Sequence, residues 1–203
     1  MHSIDAIALL DWKRRVAALY EEVSAASVPV EGWTKWRGVR DEMFREHPQS
    51  PIPEGERESF RGLEYFDFDP SYRVLAEITE IEPRHFDIGT SGDGAYGFTR
   101  FATASFALAG TQVALELYWL DGYGGGLFLP FRDATAGTLT YGGGRYLLDT
   151  VKGADLGEQD GRLVLDFNFA YNPSCSYDPR WVCPLAPPAN RIDVPIEAGE
   201  KHR

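Results

Sequence analysis

Residues 128–149, "FLPFRDATAGTLTYGGGRYLLD", gather Arg132, Asp133, Tyr141, Arg145, Tyr146 and Asp149 into one short stretch. A guanidinium is a planar fork of donors suited to carboxylate or phosphate, which makes Arg132 and Arg145 candidate anion donors. Tyr141 and Tyr146 supply phenols able to orient a ligand, and Asp133 adds an acceptor. The same residue types also fit an Arg–carboxylate network that ties two strands and their turn together.

A second constellation follows in "RLVLDFNFAYNPSC", residues 162–175. Strand alternation sends Leu163, Leu165, Phe167 and Phe169 to one face and Val164, Asp166 and Asn168 to the other. Asp166, Asn168 and, further on, Asn172 are then orienting groups for a ligand, or partners for Arg145. A carboxylate buried on that face needs such a partner, since an unpaired one costs about 3–5 kcal/mol.

The chain has two cysteines, Cys175 and Cys183. Their spacing matches no zinc motif, and the four histidines, His2, His47, His85 and His202, are scattered. Cys175 is the candidate nucleophile or redox thiol, while buried structural thiols, a disulfide and a metal site are the competing uses. No serine sits in a Gly-flanked nucleophile elbow. Asp67 and Asp69 read as turn residues ahead of Pro70. The glycine runs at 121–126 and 141–144 lack the Lys-Ser/Thr of a phosphate loop and read as tight turns. Aromatic and Gly-rich turns would suit a flavin, yet no phosphate-binding signature accompanies them, and the cofactor stays unknown.

The elements that must position these groups change character near residue 72. Ser3 is placed to cap a helix whose apolar stripe is Leu9, Trp12, Val16, Leu19 and Val23. A second helix is predicted over Thr34 to Glu46, presenting Trp36, Val39 and Met43, with Pro48 as its stop. From Tyr72 the period becomes two. Phe98, Ala102, Ala104, Phe106 and Leu108 face Val113, Leu115, Leu117 and Trp119 across a turn at Ala109 and Gly110. Further strands are predicted near 127–131, 138–141, 145–149 and 162–168. The fold class is therefore mainly β (α+β), an antiparallel barrel or sandwich with an N-terminal pair of helices. One domain is expected over 1–203, divided into helices to residue 50, a connector over 51–71 and the β-domain over 72–203.

Composition narrows the partners. A formal charge of −11 repels phosphate backbones and anionic membrane surfaces, which argues against nucleic acid or membrane and leaves a small anionic or polar ligand. Charge at Asp5, Asp11 and Lys13 interrupts the first apolar run before it reaches signal-peptide length, so a cytoplasmic location is expected. Oligomeric state is not specified.

Three strings, "FLPFRDATAGTLTYGGGRYL", "LDFNFAYNPSCSYDPRWVCPLAPP" and "VPIEAGEK", together resemble the uncharacterised bacterial and archaeal family named domain of unknown function 1684. The resemblance extends to "WRGVRDEMFREHPQSP" and "GLEYFDFDP". It implies a site among Asp133, Tyr141, Arg145, Tyr146, Asp166, Asn168, Asn172 and Cys175, and it implies no activity. The chain departs from the family pattern at Ala189 and Glu197. The reading that unites these observations is a small-molecule-binding β-domain whose pocket lies near the C-terminal motif. An enzyme using Cys175 and a purely structural or protein-interaction module are the alternatives.

Overall fold

The computed structural model describes the backbone of residues 3–202 and the side chains from Asp5 onward, so the capping side chain of Ser3 and the candidate ligand His2 lie outside what is described. Two helices come first, α1 over Ser3–Ser24 and α2 over Pro29–Glu46. The second starts five residues earlier than its apolar spacing predicts, because Pro29 supplies the fixed φ that suits a first helical turn. Pro48 follows its C-cap, His47. Trp36 is fully buried and meets the edges of Tyr65 and Phe169, so α2 is anchored on the connector and on the end of the β-domain.

Among the described residues seven antiparallel strands form one sheet: β1 (Arg73–Gly89), β2 (Ala95–Leu108), β3 (Thr111–Leu120), β4 (Leu127–Phe131), β5 (Arg145–Asp149), β6 (Glu158–Gln159) and β7 (Arg162–Asp166), in the order β5-β4-β3-β2-β1-β7-β6. Phe131 of β4 and Phe167 just after β7 have ring centroids 5.1 Å apart. Three strands separate β4 from β7, a flat distance of roughly 19 Å. The sheet must therefore curl tightly. It does not close into a barrel; the gap between β5 and the chain after β7 is spanned by one isolated bridge, Tyr146 to Tyr171.

Both faces are covered. The concave side holds Ala102, Ala104, Phe106, Leu115, Leu117, Leu129, Phe131, Leu165 and Phe167, capped by Ile192, Ile196 and Ala198 of the tail. The other side meets the helices through Phe98, Tyr118, Phe128, Tyr146 and Phe169. This two-sided burial explains why β4 reads as a continuous apolar run and why every residue of β5, Arg145 and Asp149 included, is buried.

The hairpin over 95–120 has the expected register, with Leu108 opposite Thr111. A bulge between Arg100 and Ala102 shifts the pairing and sets Arg100 opposite Tyr118, which is buried on the helical side, while Trp119 is 46% exposed. The Trp119 ring lies over Gly125, where a Cβ would come within 2.4 Å of Nε1. That packing accounts for one glycine of the 121–126 run.

Two expected strands are corrected. Residues 138–141 form no strand, because the Thr135 carbonyl accepts from the backbone N–H groups of Thr138, Leu139 and Thr140 and holds a turn there. The last strand ends at Asp166, whose carboxylate accepts from the Asn168 N–H and starts a 3₁₀ turn over Phe167–Phe169. No helix of the described residues is long and apolar enough to cross a membrane.

Candidate functional site

The structure places the sequence-predicted residues in separate groups. Arg145 is 1% exposed. Its Nη2 donates to Asp133 Oδ1 at 3.2 Å and to the Ile196 carbonyl at 3.0 Å, and its Nη1 donates to the carbonyls of Ala198 and Glu200. The other oxygen of Asp133 accepts from the Thr135 N–H and hydroxyl and from the Ile196 N–H. Arg145 and Asp133 thus lock the tail onto the start of β5. Only the Nε of Arg145 makes no hydrogen bond. Arg132 is exposed, and its backbone bridges Arg191, so the two arginines do not converge on one pocket.

Asp166 and Asn168 do meet, through the 3₁₀ cap rather than through strand alternation. Asn168 Nδ2 donates to Asp166 Oδ1 and to the Asp69 carbonyl, both at 2.8 Å, while its Oδ1 accepts from the Asp69 N–H. The Asn168 carbonyl accepts from Trp33 Nε1 of α2. Burial pushes the Asp166 carboxyl up, although its bonds to Asn168 oppose that. Asp69 itself caps the turn over Pro70–Tyr72, as its place before Pro70 suggested.

Asn172 joins a group that sequence reasoning missed. Its N–H donates to Glu200 Oε2, which also takes Arg40 Nη2 of α2 at 2.7 Å. Arg40 lies over the rings of Trp36, Phe44 and Tyr171. Burial pushes the Glu200 carboxyl up to about 7 despite the arginine. Tyr146 is buried and donates to the Pro184 carbonyl. Tyr141 and Cys175 are partly exposed, with the phenol oxygen 3.7 Å from Sγ. His47 is held by Asp11 and His85 by Asp121. Among the described residues no three His, Cys, Asp or Glu side chains gather into a metal site.

An open cleft of about 510 Å³ lies beside the tail, walled by Leu185 to Ala189 on one side and by β1 to β3 on the other. Its polar floor is Arg100, Glu116 and Tyr118. Arg100 Nη1 donates to Glu116 Oε1 at 2.8 Å, and the Tyr118 hydroxyl donates to Glu116 Oε2. Burial, with the Glu116 carboxylate alongside, pushes the Tyr118 phenol up. Arg100 Nε is buried with no hydrogen bond. Phe86 forms an apolar wall, its ring 5.6 Å from the Arg100 guanidinium carbon.

Short ladders explain how the tail reaches this place. β4 pairs with β3 only at Tyr118 and Trp119. Beyond that, both backbone groups of Glu116 bind the Asn190 side-chain amide, at 2.8 and 2.9 Å, and Asn190 also donates to the Pro130 carbonyl. The Leu185 and Ala186 N–H groups bind the carbonyls of Gly89 and Gly143. The prolines between these anchors hold a stiff wall.

A sequence model for proteins of unknown function, DUF1684, matches residues 58–201. The chain belongs to the DUF1684 family. The match takes in every residue of the Arg145, Asn168 and cleft groups except those on α2. A solution structure of an uncharacterised protein from Haloarcula marismortui shares 41% identity with this DUF1684 chain, at a TM-score of 0.60. That likeness covers 85% of this chain and 95% of the other. No curated protein matches.

Proposed function

We propose that the protein binds a small organic carboxylate with an apolar or aromatic body in the cleft floored by Arg100, Glu116 and Tyr118. The observation that carries this reading is the Arg100 guanidinium on the cleft floor, whose side chain is 24% exposed and whose Nη1 is committed to Glu116. The planar fork of a guanidinium calls for a carboxylate acceptor. A ligand carboxylate supplies that acceptor, and Phe86, Ile88, Leu185, Pro187 and Pro188 offer apolar surface for its body. The cleft volume falls in the range of small-molecule sites. A pocket near the C-terminal motif is thereby kept, but its polar lining is moved from Arg145, Asp166 and Asn168, which bind the chain itself, to the β2–β3 pair.

A groove of about 730 Å³ between α1 and the end of α2 is larger, yet Arg15 and His47 there are already matched by Asp11 and Glu42. The proposal is tested by thermal unfolding against a panel of small carboxylates, beginning with benzoate. A ligand at a hundred times its Kd stabilises by about 2.7 kcal/mol, which raises Tm by roughly 5–10 °C in a chain of this size. Arg100→Ala should abolish the rise. An equal rise in that variant, or none in the wild type across the panel, would reject the cleft as the site.

A further inference from the structure

We propose that Cys175 and Cys183 form a reversible dithiol–disulfide pair in which Cys175 reduces a hydroperoxide and Cys183 then closes an intrachain disulfide. Both cysteines are free, Cys175 partly exposed and Cys183 buried, and their side chains are in hydrogen-bond contact. The backbone fixes this arrangement. Ser91 N–H donates to the Cys183 carbonyl at 3.0 Å, the Cys183 N–H donates back to the Ser91 hydroxyl, and Thr90 bridges Pro184.

Two donors converge on the Cys175 sulfur, the Cys183 thiol and the Tyr141 hydroxyl, and beside them stands the Ser91 hydroxyl, which donates to the Trp181 carbonyl. They favour the thiolate and bring its pKa down to about 6, while the Cys183 thiol is pushed up and remains protonated. Tyr141 is itself pushed up to about 12, so it stays a donor through the neutral range. Lys152, paired with Asp149 at 3.0 Å, acts electrostatically on Cys183, and His202 stands edge-on to Tyr141. A half-exposed thiolate next to a protonated partner thiol is the arrangement of a peroxide-reactive cysteine with its resolving cysteine.

The chemistry balances. The Cys175 thiolate attacks the terminal peroxide oxygen, the O–O bond breaks, and the departing alkoxide or hydroxide takes a proton from water to leave as alcohol or water. Cys175 is then a sulfenic acid. Cys183 sulfur attacks the Cys175 sulfur, the S–O bond breaks, and the hydroxyl leaves as water with the Cys183 proton. Two thiols are oxidised and one hydroperoxide is reduced. A small-molecule thiol returns the pair by exchange.

The test treats reduced, native protein with hydrogen peroxide near pH 7 and follows free thiols and intact mass. Both thiols should disappear together with a mass loss of two hydrogens, peptide mapping should join 175 to 183, and dithiothreitol should reverse the change. In Cys183→Ser the reaction should stop at a Cys175 sulfenic acid that dimedone traps. Alkylation of Cys175 should rise with a midpoint near 6 rather than the ordinary value of about 8.5. Thiols that react only after denaturation, or native oxidation that leaves 175 and 183 unlinked, would overturn the proposal. Mapping of the wild-type protein decides the matter even if the variant fails to fold.

Discussion

Replacing Arg145 by Met keeps most of the side-chain volume and removes the charge. Asp133, 1% exposed at its side chain, then loses its ion partner, and breaking a buried pair by removing one member costs about 3–5 kcal/mol. The carbonyls of Ile196, Ala198 and Glu200 lose their donors as well, each worth about 1–3 kcal/mol where water cannot replace it. A loss of at least about 3 kcal/mol is expected against a total stability of about 5–15 kcal/mol. Urea unfolding followed by tryptophan fluorescence reads this as a lowered midpoint, and hydrogen exchange should show residues 196–200 unprotected. The double variant with Asp133→Asn should recover part of the loss, because the stranded charge is gone while an acceptor oxygen remains for Thr135 and Ile196. A loss below about 1 kcal/mol, the size expected for an exposed ion pair, would refute the view that Arg145 is a structural lock.

Gly199 has φ +76, and a Cβ there would come within 2.6 Å of the carbonyl oxygens of Phe167 and Ala170, so Gly199→Ala should destabilise by about 2 kcal/mol or more in the same unfolding assay. Glu200 takes up a proton on folding, because its carboxyl sits at about 7 when buried against about 4.5 unfolded. The stability it contributes is present below about 4.5 and is lost as pH rises through about 7, a swing on the order of 3 kcal/mol. Denaturation across that range should show the swing in the wild type and a flattened profile in Glu200→Gln. Trp33→Phe removes the bond to the Asn168 carbonyl and should cost about 1 kcal/mol, measured as a midpoint shift.

How far the sequence leads depends on where a residue's partner lies. The pairing of 95–108 with 111–120 is legible because burial on each strand follows local alternation, and the turn at Ala109 and Gly110 sets the register. At 138–141 the same alternation misleads, since threonine hydroxyls and the Thr135 carbonyl satisfy the loop from within. The importance of Arg145 and Asp133 was readable from their types, but most of Arg145's acceptors lie 51 to 55 residues away in an irregular tail. Asp166 and Asn168 were placed together for the wrong local reason, a strand in place of a cap.

The cleft was not legible at all. Glu116 and Tyr118 alternate off the face of Leu115 and Leu117 and read as solvent-facing, and nothing in the residue types announces the bulge after Arg100 that brings the three side chains together. The Arg40–Glu200 pair joins a helix to a tail 160 residues on, beyond any local pattern.

The measurement that tests the central claim most directly is chemical-shift mapping on isotope-labelled protein titrated with benzoate and related carboxylates. Saturable shifts confined to Phe86–Ile88, Arg100, Glu116–Tyr118 and Leu185–Ala189, absent in a folded Arg100→Ala variant, are the predicted result. Shifts that gather elsewhere, or that persist unchanged in Arg100→Ala, would contradict it.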